Sequence, residues 1–261
     1  MDLGISGKRV LIVGGSKGLG GKISECFNAE GCNITVIARR VEYLDRLKQR
    51  IGGDNDNNSF ISADLLRPSE PAKVINNIVN KRGGFDIVVH NLGGALGVKD
   101  IFSSADEWLD VWKFNVGISI EINNILIPIM VRNGWGRVIH MSSISSTAGE
   151  PTAPEFGGAI PYAASKAYIN SYVQGIGREL AKKNVLINAI LPGAIRSKGK
   201  YWDKMIKESI KQTQDGGYIV AGHTYSEIDN GTRDVLVLKI PCCFAMLIRI
   251  SVSPIFFPSI K

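Results

Sequence analysis

Several features that would assign this sequence to a class at once are missing. Its cysteines, Cys26, Cys32, Cys242 and Cys243, have neither metal-ligand spacing nor the pattern of a disulfide framework, so we expect a reducing compartment and no metal. The first residues lack the basic-then-apolar order of a signal peptide, which favours the cytoplasm. These absences leave a compact cytoplasmic protein as the expectation.

Clustered positive charge is also missing, although the chain is basic. Lysine and arginine number 31 against 24 acidic residues, a net charge of +7. The basic residues are dispersed and are not interleaved with aromatic residues, as a nucleic-acid platform requires. We therefore expect neither nucleic acid nor membrane as a partner, and a surface that attracts an anionic cofactor and substrate.

What is present is an alternation of apolar runs and helical segments over the first 190 residues or so. The runs are continuous rather than alternating, as in strands that are buried on both faces. The pattern predicts an α/β fold of the Rossmann type, a doubly wound, mainly parallel sheet with helices on both faces, in one domain over 1–261. Predicted strands are Arg9–Val13, Asn33–Ala38, Ser59–Ala63, Phe85–Val89, Arg137–Met141 and Val185–Leu191; predicted helices are Leu19–Glu30, Arg40–Ile51, Ser69–Lys81, Ala105–Arg132 and Ile160–Lys183.

A glycine-rich turn follows the first predicted strand and opens a helix. Its glycines are Gly14, Gly18 and Gly20, with Ser16, Lys17 and Leu19 between them. Such a turn lets the backbone approach a pyrophosphate at a helix N-terminus. The second strand ends in Arg39 and Arg40, and with Lys17 these cations suit a 2′-phosphate better than the ribose hydroxyls of NAD. We predict NADP(H) as cofactor, with NAD(H) as the alternative.

Tyr162 and Lys166 lie four residues apart in a helical segment. Both side chains then emerge on one face of the helix. A nearby lysine cation favours the phenolate and brings a tyrosine towards useful proton transfer. The pair alone is weak evidence of a catalytic site, since this spacing arises by chance in many helices. Its weight comes from its occurrence together with the glycine-rich turn.

The ordered motifs resemble those of the short-chain dehydrogenase/reductase family, in its FabG-like branch of 3-oxoacyl-carrier-protein reductases. The resemblance spans residues 5 to about 200 and rests on the glycine turn, His90-Asn91-Leu92-Gly93, Asn115, Ser142-Ser143, Tyr162 with Lys166, and Pro192-Gly193. Val13 and the His90-Asn91-Leu92-Gly93 segment depart from the family's usual residues at supporting positions.

The resemblance implies a catalytic set and a cofactor site. Tyr162 would be the general acid/base, Ser143 would hydrogen-bond the substrate oxygen, and Asn115 would hold a water in a proton relay. Lys166 would contact the nicotinamide ribose and tune Tyr162. The remaining cofactor contacts implied are those of the glycine turn, Arg39, Arg40, Asp64 at the adenine, Leu65, Asn91, Gly93, Pro192, Gly193 and Ile195.

Two segments depart from the family pattern. Tyr162 follows Ser143 by 19 residues, a longer interval than the family commonly has, and the extra length in 147–160 either shapes substrate specificity or is a surface insertion. The family's usual ending is not visible in 228–261. Three interpretations are open there: a divergent or frame-shifted end that leaves the last strand unmade, which we favour; a membrane anchor, against which Lys239 and Pro241 count; and a substitute strand in the core.

Two functions are consistent with these residues. We expect an NADP(H)-dependent oxidoreductase that transfers hydride reversibly between nicotinamide and a ketone or secondary alcohol, assembled as a homodimer or homotetramer. The alternative is a cofactor-binding protein with weak or no catalysis and a regulatory or assembly role. The substrate itself is not readable from the sequence.

Overall fold

The computed structural model describes residues 3–52, 57–100, 102–146, 159–192, 218–224 and 234–240. The chain divides into two compact units, Met1–Gly199 and Lys200–Lys261. The single domain over 1–261 stays a prediction.

The first unit is built on a parallel sheet of six strands in the order β3-β2-β1-β4-β5-β6. This order and the helices between the strands confirm the doubly wound fold of the Rossmann type. The strands are β1 Arg9–Val13, β2 Asn33–Ala38, β3 Ser59–Ser62, β4 Ile87–His90, β5 Gly136–Met141 and β6 Val185–Ile190.

Both faces of this sheet are buried, which explains the continuous apolar runs. Along β1, Leu11 and Val13 belong to one core cluster, while Val10 and Ile12 belong to the other. Successive side chains of a strand point to opposite faces, so each face needs apolar residues of its own. The helices that cover the faces are α1 Gly18–Ala29, α2 Val41–Arg50, α3 Glu70–Arg82, α4 Ala105–Trp112, α5 Ile118–Arg132 and α6 Ile160–Ala181.

The stretch predicted as one helix over Ala105–Arg132 is interrupted by a wider turn. Ser104 and Glu107 form a capping box that starts α4, and a π-helical turn over Lys113–Gly117 separates α4 from α5. By length and composition the whole stretch is apolar enough to cross a membrane, and half of its most apolar window is buried inside the fold. Ile118, Ile122, Leu126 and Met130 are buried in a core cluster, so we interpret the stretch as a core helix.

The described part of the second unit is a two-stranded sheet. β7 Tyr218–Thr224 pairs antiparallel with β8 Asp234–Ile240, with Tyr218 opposite Ile240 and Thr224 opposite Asp234. The apolar run 234–240 is therefore a strand, and its partner is β7. Residues 241–261 lie outside the described residues.

Candidate active site

The sequence motifs meet at the carboxyl ends of the parallel strands. β1 pairs with β2 on one side and with β4 on the other, so the chain reverses direction across the sheet beside β1. In open α/β sheets such a reversal leaves a crevice in which ligands bind. The loops after β1, β2, β3, β4 and β5 carry predicted site residues at this edge of the sheet.

The glycine turn after β1 has the shape of a cradle. Gly14 and Gly18 have φ values of +79° and +54°, a region that side chains rarely adopt. A Cβ on Gly14 would lie 3.0 Å from the backbone nitrogen of Leu92, and a Cβ on Gly20 would lie 2.5 Å from the Nδ2 of Asn91. The turn is thus packed against the loop after β4, while a Cβ on Gly18 would meet nothing within 4 Å.

Two polar side chains hold the cradle in place. The Nδ2 of Asn91 donates to the carbonyl oxygen of Gly14 at 2.9 Å. On the other side, the fully buried hydroxyl of Ser24 donates to the carbonyl oxygens of Gly15 and Gly20 at 2.9 and 3.0 Å. Asn91 and Ser24 therefore both hold the glycine turn, a role that the sequence did not predict for either residue. The predicted contact of Asn91 with the cofactor stays a prediction.

The remaining predicted residues of the turn differ in exposure. Ser16 is buried, Leu19 is half-buried, and Lys17 is exposed directly before α1. Arg39 and Arg40 are exposed as well, and Arg40 is the residue before α2. Because β1 and β2 are neighbours in the sheet, Lys17 and Arg40 emerge from adjacent loops.

Asp64 and Leu65 follow β3 at the same edge. Asp64 is half-buried, and its Oδ1 accepts a bond from the backbone N–H of Leu66 at 3.4 Å. The side chain of Leu65 is buried in the core. A cofactor contact of Leu65 would therefore be made by its backbone, and Asp64 is in part a local cap.

Asn115 lies in the π-helical turn and reaches across to the loop after β4. Its Oδ1 accepts from the N–H of Gly94 at 3.0 Å, and its Nδ2 donates to the carbonyl oxygens of Gly94 and Val111 at 2.8 Å each. Both amide hydrogens are thus committed to the backbone. A Cβ on Gly93 would lie 2.5 Å from the Asn115 Oδ1 and 3.0 Å from the Lys166 Nζ, so these three residues adjoin.

The side chains of Tyr162 and Ser143 are neighbours, close enough for Ser143 to affect the pKa of Tyr162 by hydrogen bonding. Ser143 follows β5 and Tyr162 lies in the first turn of α6, and both are half-buried. The Ser143 hydroxyl also donates to the Oγ of Ser145 at 3.2 Å. Burial raises the pKa of Tyr162 above its usual value of 10, and the Ser143 hydrogen bond opposes this in part.

Lys166 extends from the next turn of α6 into the interior. Only 3% of it is exposed, and its Nζ donates to the carbonyl oxygen of Met141 at 2.7 Å. The Nζ lies 5.5 Å from the centre of the Tyr162 ring. Burial lowers the pKa of Lys166 to about 8. The pKa of Tyr162 is raised and not lowered as expected from the sequence, because burial outweighs the effect of Ser143.

A buried polar network that the sequence did not predict lies beneath the site. The Asn123 side chain lies 2.8 Å from the His90 Nε2, 3.2 Å from the His140 Nε2 and 3.2 Å from the Tyr172 hydroxyl. Burial lowers the pKa of His90 to about 4 and that of His140 well below its usual value. His90 and His140 precede Asn91 and Met141 along the chain, so the network underlies the residues that position the cofactor turn and Lys166.

Part of the predicted site falls outside the described residues. Pro192 is described, and its carbonyl oxygen accepts a bond from the N–H of Ile144 at 3.1 Å. Gly193, Ile195 and residues 147–158 of the insertion lie outside the described residues. Their predicted contacts with the cofactor or substrate stay predictions.

Comparison with known proteins gives consistent matches over most of the chain. Residues 8–204 match the short chain dehydrogenase family. The uncharacterised oxidoreductase YvrD of Bacillus subtilis is 29% identical over 88% of this chain and 89% of its own, and an uncharacterised oxidoreductase of Mycobacterium tuberculosis is 31% identical over 72% and 69%. The crystal structure of L-sorbose reductase from Gluconobacter frateurii, complexed with NADPH and L-sorbose, matches with a TM-score of 0.66 and 30% identity over 80% of this chain and 76% of that one.

Proposed function

This chain belongs to the short-chain dehydrogenase/reductase family of oxidoreductases, and we propose that it uses NADP(H) to interconvert a ketone and a secondary alcohol, with Tyr162 as the general acid/base. The observation that carries the proposal is that Ser143 and Lys166 both adjoin Tyr162, with the Lys166 Nζ 5.5 Å from the centre of the Tyr162 ring. Asn115 and Gly93 adjoin that lysine. A protein that only binds a cofactor needs no such arrangement.

The cofactor fits the residues at this edge of the sheet. The cradle of Gly14, Gly18 and Gly20 at the start of α1 would hold the pyrophosphate, where backbone N–H groups and the helix dipole favour negative charge. Gly93 lies so close to Lys166 and Asn115 that a methyl group there would displace them. The nicotinamide, when bound, supplies or accepts the hydride.

The protonation states suit Tyr162 as a proton donor. Because burial raises its pKa above 10, the phenol carries its proton at neutral pH and gives it to the oxygen of a carbonyl that is being reduced. Ser143 donates to that same oxygen, which becomes negative as the reaction proceeds. Lys166, with a pKa of about 8, is mostly cationic at neutral pH and stabilises the phenolate that remains.

The preference for NADP(H) rests on charge. Lys17, Arg39 and Arg40 are exposed at the ends of β1 and β2, on the side where an acidic residue would favour NAD and a basic one favours a 2′-phosphate. The similar L-sorbose reductase was crystallised with NADPH, which supports the same choice for this chain. A tighter Kd for NADPH than for NADH is the expected result.

The test is NADPH oxidation against a panel of carbonyl compounds, with Tyr162→Phe as the control variant. The panel includes ketoses, because of the likeness to L-sorbose reductase, and 3-oxoacyl thioesters, because 3-oxoacyl-carrier-protein reductases are among the relatives. We expect turnover by the wild type and a loss of about 100-fold or more in Tyr162→Phe, with NADPH binding retained. Binding without turnover across the panel would instead support a regulatory or assembly role.

A further inference from the structure

Three cations surround one aromatic ring at the edge of the candidate cofactor site. Tyr43 lies in the first turn of α2 and is half-buried. The Cζ of Arg40 lies 4.2 Å from the centre of its ring, the Nζ of Lys17 lies 5.1 Å away, and the Cζ of Arg46 lies 5.9 Å away. These distances are within the range of cation–π attraction.

The ring joins residues from two different loops. Lys17 follows β1 and Arg40 follows β2, and these strands are paired so that Val13 lies opposite Ile37. Like charges repel, so two long basic side chains would normally point apart into solvent. The negative face of the Tyr43 ring attracts both, and it therefore keeps Lys17 and Arg40 near each other.

Among the described residues, no acidic side chain forms a salt bridge with the basic residues of this cluster. Glu42 and Asp45 flank Tyr43 on α2, yet within the described part of the chain neither forms a salt bridge with Lys17, Arg40 or Arg46. Elsewhere the structure does pair such charges, as between Arg50 and Glu25 at 2.7 Å. Basic side chains that lie close together and form no salt bridge within the described residues are complementary to a dianionic phosphate monoester.

We propose that Tyr43 is a positioning residue for recognition of the 2′-phosphate of NADP(H). The proposal rests on the proposed function and adds to it how the basic residues are arranged before the cofactor binds. Long lysine and arginine side chains lose conformational entropy when they grip a ligand. The ring of Tyr43 restricts Lys17 and Arg40 in advance, so part of that cost is already met in the free protein.

The test compares Tyr43→Leu, which removes the aromatic face, with Tyr43→Phe, which retains it. Dissociation constants for NADPH, NADH and adenosine 2′-phosphate are measured by fluorescence and calorimetric titration of the full chain. Tyr43→Leu is expected to weaken NADPH and adenosine 2′-phosphate by about 5- to 30-fold, from the loss of two cation–π contacts. NADH is expected to bind as in the wild type, which also shows that the variant is folded, and Tyr43→Phe is expected to stay within about twofold of the wild type for all three.

Two results would overturn the inference, and they differ from failure of the proposed function. Equal weakening of NADPH and NADH in Tyr43→Leu would show a structural effect on α2 rather than phosphate recognition. An unchanged dissociation constant for NADPH in that variant would show that Lys17 and Arg40 are positioned without the aromatic ring of Tyr43. If Tyr43→Leu does not fold, Tyr43→Gln, which also lacks the aromatic face, decides between these outcomes by the same titrations. A wild type that binds NADPH no better than NADH would contradict the cofactor preference itself, whatever the variants do.

Discussion

The imidazole rings of His90 and His140 stack face to face, with their centres 4.5 Å apart. They are opposite each other in register on β4 and β5, and both are buried. Charging either ring would place a cation in the core beside the other histidine and near Lys166. The fold therefore requires both rings to be neutral.

The neutral pair predicts a loss of stability in mild acid. The pKa of His90 is about 4 in the folded chain and about 6.5 in an unfolded one, so the unfolded state binds more protons between these values. The contribution of neutral His90 to the free energy of unfolding is fully present above about pH 6.5 and is lost as the pH decreases towards 4. For His90 alone, the free energy of unfolding in urea should be about 2 kcal/mol lower at about pH 5 than at about pH 7.5.

A variant separates this effect from general acid sensitivity. In His90→Asn the asparagine side chain does not titrate. The difference in the free energy of unfolding between the two pH values should therefore be smaller than in the wild type by a similar amount. An equal pH dependence in the wild type and in His90→Asn would contradict the assignment.

The pKa of Lys166 predicts how activity depends on pH. With a pKa of about 8, Lys166 loses its charge as the pH rises through that value, well before Tyr162 ionises. If the cation stabilises the Tyr162 phenolate, kcat/KM for ketone reduction should fall with an apparent pKa near 8. A kcat/KM that stays constant up to about pH 9.5, well past the ordinary range of such a group, would show that the charge of Lys166 is not used.

Gly93 provides a steric test of the site. An added methyl would lie 2.5 Å from the Asn115 Oδ1 and 3.0 Å from the Lys166 Nζ, so Gly93→Ala should displace both and reduce kcat/KM by about tenfold or more. The matched control is Gly175→Ala in α6, where a Cβ meets nothing within 4 Å. That control should keep its activity and gain about 0.5–1 kcal/mol of stability, since alanine favours a helix. Equal activity of the two variants would refute the crowding argument.

The hydrogen bonds of Ser24 predict that its loss weakens cofactor binding through the glycine turn. Ser24→Ala leaves the carbonyl oxygens of Gly15 and Gly20 without their side-chain donor, at a cost of about 1 kcal/mol in stability, and should weaken NADPH binding. Asn58→Ala is the comparison, because Asn58 also bonds the backbone of Ile34 but lies just before β3, at the opposite edge of the sheet. It should lose stability without weaker NADPH binding, as measured by urea unfolding and fluorescence titration. A Ser24→Ala variant that binds NADPH normally would count against the role of this bond.

The sheet was predictable because its strands are apolar on both faces. All six runs became strands in the predicted order, with bounds that differ by two residues or fewer, as for β4 at Ile87–His90. The site residues before and after these strands were predictable for the same reason: parallel strands end at one edge. Asn91, Asn115, Ser143, Tyr162 and Lys166 do meet there.

The other features of the site depend on contacts that no local sequence pattern indicates. The acceptor for Lys166 is a backbone carbonyl, that of Met141, which any residue type would supply. The network of Asn123 with His90, His140 and Tyr172 joins residues far apart in sequence. The direction of the Tyr162 pKa shift follows from its burial, and residue spacing alone does not show how deeply a side chain is buried.

The π-helical turn over Lys113–Gly117 has a consequence for insertions and deletions. A π turn holds one residue more than an α turn within about the same full rotation of the helix. The extra residue is therefore absorbed in the turn, and α5 keeps nearly the phase that it would have in one continuous helix with α4. Deleting one residue from the turn would restore a regular helix and leave Ile122 and Leu126 in the core, but it would disturb the turn that carries Asn115. The same deletion within Ile118–Arg132 would instead rotate the residues after it by about 100° relative to those before it. The turn therefore accommodates a change of one residue in chain length that α5 does not.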